Sequence, residues 1–188
     1  MGFKVIENEI ISGYLKGRKL DLPYNKSTRP LKDLTKESIF NILEHSNLIK
    51  INITKSIVLD LFSGIGSFGL ECISRGCDKV IFCENYSKAI SKLKKNISKL
   101  NCESKSEIIE NDIFNIKNIK IFHKKQFEII FLDPPYKEKK LNNLLENILS
   151  LEILKNNGII IIHRHKKENE ILPKKFKILK VKTYGVQK

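Results

Sequence analysis

The run Phe127-Glu-Ile-Ile-Phe-Leu132 ends in Asp133-Pro134-Pro135-Tyr136, and these four residues are the ones most readily read as chemistry. Two prolines fix φ and remove two N–H donors, so a rigid turn presents the Asp133 carboxylate and the Pro134 carbonyl as acceptors beside an aromatic ring. Such a set suits a planar exocyclic amine: two acceptors take its two N–H groups while Tyr136 stacks on the base that carries it. The amine lone pair is conjugated into its ring. The acceptors must therefore draw the nitrogen toward tetrahedral geometry before it can attack a methyl group.

A second constellation, Asp60-Leu-Phe62-Ser-Gly64-Ile-Gly66-Ser-Phe-Gly69, closes one apolar run and opens a helix. Its glycines let backbone approach a ligand closely and set a helix N-terminus beneath it. The spacing contains G-x-G-x-x-G, so a dinucleotide enzyme has to be weighed. Asp60 would repel a pyrophosphate on that turn, whereas an ammonium and a sulfonium would be attracted. The chain also lacks room for a second mononucleotide-binding half and a catalytic domain. Glu84 ends the next apolar run and is placed to accept both hydroxyls of a ribose. Asn111-Asp112-Ile113 follows the third, where Asp112 could accept from an adenine amino group and Ile113 could pack on the ring.

Positioning these groups falls to strand-length apolar runs that alternate with amphipathic stretches. Strands are expected at Ile57–Leu61, Lys79–Cys83, Glu107–Ile109, Phe127–Leu132 and Gly158–Ile162. Helices are expected at Phe68–Arg75, Ser87–Leu100 and Leu141–Leu149. Alternation with continuous apolar strands predicts an α/β fold whose parallel sheet is covered on both faces. Before Ser56 the pattern changes: Ile10 to Leu20 reads as a glycine-punctuated hairpin. Asp33 to His45 reads as a helix with Asp33 as its N-cap and Ile39, Phe40 and Leu43 facing a core. Residues 1–50 are expected as an extension packed on a core of residues 51–188, together one structural domain.

Length supports that count, since 188 residues can bury a core without disulfide or metal staples. The net charge of +14 points to polyanionic partners. Of 35 basic residues 31 are Lys, beside 30 Ile, 17 Asn and one Ala, so part of that charge reflects an AT-rich coding bias. A composition 41% hydrophobic and 30% charged excludes disordered and fibrous classes. No apolar run approaches the roughly 20 residues of a membrane span, and the N-terminus has no secretory signal. Cys72, Cys77, Cys83 and Cys102 lack zinc spacing and read as reduced, buried thiols in a cytoplasmic protein, so no metal is assigned. The four histidines have no Ser, Cys or Asp at a triad spacing.

Together these motifs resemble the Rossmann-like S-adenosylmethionine methyltransferases that modify amines, and more closely the bacterial family that methylates the N2 amine of a guanine in small-subunit ribosomal RNA. The likeness extends over Gly17-Arg18-Lys19-Leu20, Thr28-Arg29-Pro30 and Lys36-Glu37-Ser-Ile-Phe40-Asn41-Ile-Leu43 as well as the motifs above. It implies S-adenosylmethionine as cofactor, held by Asp60, Phe62, Gly64, Gly66, Glu84, Asn111, Asp112 and Ile113. It implies that Asp133, Pro134, Pro135 and Tyr136 hold the guanine and carry the catalysis. Arg18, Lys19, Arg29 and Lys36 would meet RNA, and two of only four Arg in one segment suit bidentate recognition. Ribosomal RNA or the small ribosomal subunit is the implied partner of a monomer. Rival readings are a DNA adenine-N6 methyltransferase, which generally adds a sizeable recognition region, and a non-catalytic RNA-binding assembly factor. The chain departs from the family at Leu31, where Thr usually follows Arg-Pro. It also stops at Lys188, so a sixth strand over Phe176 to Tyr184 is expected without the family's seventh.

Overall fold

A computed structural model describes residues 8–22, 31–115, 119–123, 125–135, 138–164 and 172–183. In chain order these hold α1 (Asp33–His45), β1 (Ile57–Leu61), α2 (Ser67–Ser74), β2 (Lys79–Cys83), α3 (Ser87–Lys99), β3 (Ser106–Ile109), β4 (Phe127–Leu132), α4 (Leu141–Ser150) and β5 (Leu154–Ile162). The five strands form one parallel sheet in the order β3-β2-β1-β4-β5, the α/β Rossmann-like arrangement expected. Because β1 lies at the centre and the order reverses there, the carboxyl ends of β1, β2 and β4 flank one crevice.

Strand alternation sorts the core into two layers. Val58, Val80, Phe82, Ile129 and Phe131 join residues of α1, α2 and α3 on one face. Leu59, Leu61, Ile81, Ile130 and Leu132 pack with α4 and with Phe122 on the other. The parity of Val58 is also the parity of Asp60, that of Phe82 leads to Glu84, and that of Phe131 leads to Asp133. Three carboxylates thus continue the same face of three neighbouring strands.

The segment before β1 belongs to the first of these layers. Ile10 and Arg18 pair through a 3.0 Å hydrogen bond, Leu20 N donates to Asn8 O at 2.8 Å, and Glu9 bridges Lys19 antiparallel, giving the hairpin. Ile10, Leu20, Ile39, Phe40 and Leu43 are buried with Phe68 and Ile73 of α2. An aromatic column runs from Phe40 through Phe68 to Phe131, with ring centroids 5.2 and 4.0 Å apart, and the Arg75 guanidinium caps it at 4.3 Å from Phe40.

Two expectations are corrected. Lys32 occupies the N-cap of α1, and Asp33 is the first helical residue, where its charge favours the helix N-terminus. Residues 176–183 form no strand although Phe176, Ile178 and Val181 punctuate lysines as an edge strand would; Tyr184 lies outside the described residues. A strand exists only through a bonded neighbour, and the ladder stops at β5, leaving Ile178 and Val181 61% and 74% exposed.

Candidate functional site

The crevice begins at Asp60, whose side chain turns from the sheet under α2. Its Oδ2 accepts from Gly69 N at 3.0 Å, while Oδ1 is buried with no hydrogen-bond partner among the described residues. Burial pushes this carboxyl well above the usual carboxylate range, and the neighbouring Asp133 and Glu84 charges add to that against the opposing pull of the Gly69 bond. A cation entering the crevice would relieve the cost of ionising it.

Sharp backbone turns bring the rest of the loop over Asp60. Phe62 adopts φ 64° and Gly66 φ 87°, conformations that a glycine takes freely and a phenylalanine does not. A Cβ on Gly66 would fall 2.6 Å from Leu93, whereas one on Gly64 would meet nothing within 4 Å. Gly66 is therefore required for packing, and Gly64 leaves open space on the crevice side. The Glu84 carboxylate holds this turn: Oε2 accepts from Gly64 N at 2.8 Å, and Oε1 from Asn85 N and Tyr86 N at 2.9 Å each. Three of about four acceptor positions are thus occupied. One position on Oε2 remains, where the sequence expectation had both ribose hydroxyls.

After β3, Asn111 and Asp112 are exposed; Asp112 Oδ1 accepts from Phe114 N at 3.0 Å in a local turn. Ile113 points into the lower core, buried with Ile81 and Cys83. The aromatic surface at that corner comes instead from Phe114, whose ring lies 5.0 Å from that of Phe62. Asn-Asp-Ile-Phe signalled this only as a further apolar residue.

Across the crevice, Asp133 continues β4, and a small cavity of about 40 Å³ lies between it and Asp60, lined also by Leu31, Gly64, Phe68 and Phe131. Asp133 Oδ1 contacts His163 Nδ1 at 2.9 Å. Among the described residues no donor reaches Asp133 Oδ2 or the Pro134 carbonyl, so both acceptors stay open. The hydrogen bond and charge of Asp133 hold the His163 imidazole above its usual range against the effect of burial. This pair escaped sequence reasoning because its members lie 30 residues apart, each just past the end of a different strand. Arg164, likewise missed, donates to Pro135 O and Glu138 O, both at 2.9 Å. Tyr136 and Arg29 lie outside the described residues.

Of the residues expected to meet RNA, Arg18 and Lys19 are exposed on the hairpin. Lys36 is not a surface contact. Its side chain is fully buried, with Nζ bonded to Glu9 O at 2.6 Å and 3.2 Å from Asp33, with Asn8 Oδ1 and Ser67 Oγ each at 3.4 Å. Burial holds its ammonium below the usual lysine range against the charges of Glu71 and Asp33. Beside it the buried Glu71 accepts Ile11 N at 2.7 Å, Ser12 N at 3.0 Å and Arg75 Nε at 2.8 Å. Lys36 and Glu71 therefore fasten the hairpin to α2, and so to the glycine turn.

All four cysteines are buried and free. Among the described residues no group of three or more His, Cys, Asp or Glu is arranged to hold a metal ion, and no helix is long and apolar enough to cross a membrane.

The model of the family described as conserved hypothetical protein 95 matches residues 8–188. The chain is 34% identical to a Haemophilus influenzae protein named ribosomal RNA small subunit methyltransferase D, covering 96% of this chain and 90% of the relative. It is 38% identical to the Buchnera aphidicola protein of the same name, covering 92% and 86%. A crystal structure from Haemophilus influenzae superposes with a TM-score of 0.71 at 32% identity over 95% of this chain and 93% of that one. A solved chain from Escherichia coli gives a TM-score of 0.79 over the same shares at 23% identity, a likeness of fold. By the family match and by relatives above 30% identity over nine-tenths of its length, the chain belongs to the conserved hypothetical protein 95 family, alongside the ribosomal RNA small subunit methyltransferases D.

Proposed function

We propose that the protein methylates the exocyclic N2 amine of a guanine in small-subunit ribosomal RNA. Its family membership makes it an S-adenosylmethionine-dependent ribosomal RNA methyltransferase, and the guanine N2 atom is the refinement argued for. The observation that carries this reading is that Asp133, with one carboxylate oxygen free of any donor among the described residues and the open Pro134 carbonyl next in the chain, lines the same small cavity as Asp60, whose Oδ1 is unpartnered among them.

The residues present fit the cofactor. Asp60 Oδ1 supplies a buried negative atom for a cationic group, Gly64 leaves space for close approach, Glu84 Oε2 keeps one acceptor for a ribose hydroxyl, and Phe62 with Phe114 offers aromatic surface. In this reading Asn111 and Asp112, exposed on the loop after β3, meet the cofactor's base, and Ile113 packs in the core beneath them. When bound, S-adenosylmethionine supplies an electrophilic methyl group on a sulfonium. Asp133 Oδ2 and Pro134 O accept the two N–H groups of the amine and draw its lone pair out of conjugation. Positive charge developing on the nitrogen strengthens the bond to Asp133, so this contact grows toward the transition state. Tyr136 stacks on the extruded base, and Arg18, Lys19 and Arg29 contact phosphates, with the protein working as a monomer in the cytoplasm.

Methylation of small subunits lacking the modification tests the proposal, with the product nucleoside identified. Asp133→Ala should lower kcat by about 10² to 10³ while cofactor affinity holds. Tyr136→Ala should mainly raise KM, since stacking serves ground and transition states alike. A wild-type chemical step in Asp133→Ala would show that the turn is scaffold and favour a non-catalytic assembly factor; N6-methyladenine in DNA as the product would favour the DNA enzyme.

A further inference from the structure

We propose that His163 and Arg164, the two residues following β5, are positioning residues that set the Asp-Pro-Pro turn for methyl transfer. This rests on the reading of Asp133 as the acceptor of the target amine. The need for such a device follows from the prolines: Pro134 and Pro135 have no N–H, so the turn has few means of anchoring itself. Its own backbone bonds among the described residues are Asp133 N to Leu61 O at 3.4 Å, which is long, and Glu138 N to Pro135 O at 2.9 Å.

The end of β5 supplies the missing donors. His163 N donates to Leu132 O at 2.9 Å, continuing the ladder by one bond and locking His163 beside the first residue of the turn. From there Nδ1 meets Asp133 Oδ1 at 2.9 Å, both side chains being about three-quarters buried at 27% and 21% exposure. A carboxylate held at one oxygen can no longer spin about its last torsion, so Oδ2 is presented in one direction. Arg164 then spans the other side. Its planar guanidinium donates from Nη1 to Pro135 O and from Nη2 to Glu138 O, carbonyls that flank positions 136 and 137. A rigid fork matched to two fixed acceptors is a role that Lys, with a single flexible ammonium, does not fill. In a chain with four Arg among 35 basic residues, this placement answers a geometric requirement.

Misplacing a reacting group by about 1 Å can cost on the order of 10²-fold in rate. His163→Leu should therefore lower single-turnover methylation of unmodified small subunits about 10- to 100-fold, with S-adenosylmethionine affinity within about twofold of wild type. His163→Asn, whose amide nitrogen can take the place of Nδ1, should recover most of that rate. Arg164→Lys should behave like Arg164→Ala. The decisive comparison adds His163→Leu to Asp133→Ala: a residue acting through Asp133 loses its effect once Asp133 is gone, whereas a purely structural one adds its own loss. Additive losses, or equal defects in His163→Leu and His163→Asn, overturn the proposal. If His163→Leu does not fold, the Asn variant and the Arg164 pair decide it. An Asp133→Ala enzyme with full activity would instead defeat the underlying reading of the amine acceptor, and an inactive Asp133→Ala beside a normal His163→Leu would defeat the clamp alone.

Discussion

Asp60→Asn should make the ligand-free protein more stable and a poorer binder of S-adenosylmethionine. Asp60 is 1% exposed, Oδ2 is satisfied by Gly69, and Oδ1 has no partner among the described residues. An amide keeps the bond to Gly69 N through its oxygen and puts a neutral NH2 in place of the partnerless charged oxygen, so what it gains is the excess cost of the charge. An unsatisfied buried group costs about 1–3 kcal/mol, and more when charged. For a chain of this size about 1 kcal/mol moves Tm by about 2–4 °C, so a gain of about 1–3 kcal/mol should raise the melting temperature by about 2–12 °C. The sign with pH is fixed by the raised carboxyl. As pH climbs past the ordinary Asp value the unfolded chain ionises first, so wild-type stability falls relative to the variant, and the two converge in acid. Binding runs the other way, because a charge-assisted contact to a cationic ligand is worth about 1.5–3 kcal/mol, or about 10- to 150-fold in Kd. Paired thermal melts across pH and calorimetric titrations read both effects. A variant that melts lower than wild type, or that binds with unchanged affinity, would refute the assignment of Asp60 as the cationic subsite.

Glu84→Ala removes acceptors from Gly64, Asn85 and Tyr86 as well as from the ribose, so calorimetry should show weaker cofactor binding and denaturation a stability loss of about 1–3 kcal/mol; unchanged affinity would sink its role. Lys36→Met breaks a buried charge cluster and should cost about 3–5 kcal/mol in urea denaturation, while the folded fraction keeps its RNA affinity. Weak RNA binding with full stability would instead restore Lys36 as an RNA contact. Arg18→Ala should lessen the slope of log affinity against log salt by about 0.7–0.9, and Lys88→Ala should leave it nearly unaltered. Equal losses from both would remove the special role of the hairpin.

Local pattern was enough to define the elements. The apolar runs at Ile57, Lys79 and Phe127 begin and end as strands where periodicity places them, and α1 spans the residues expected. A period of two also carries Asp60, Glu84 and Asp133 onto one face, since each follows the parity of an apolar neighbour in its own strand. The family could be recognised from these motifs for the same reason: their spacing along the chain is local information.

What the sequence alone left undetermined depends on which strands become neighbours. His163 meets Asp133 because β5 lies beside β4, and no periodicity encodes that adjacency. Lys36 reads as an RNA contact until Asn8, Glu9, Asp33 and Ser67 converge around it from three segments, and only then can its ammonium be buried. Residues 176–183 show the converse, for apolar residues set among lysines make a strand possible while a bonded partner makes it real. Periodicity is set by each residue's own geometry; pairing is a free energy shared between distant segments, and only the tertiary structure decides it.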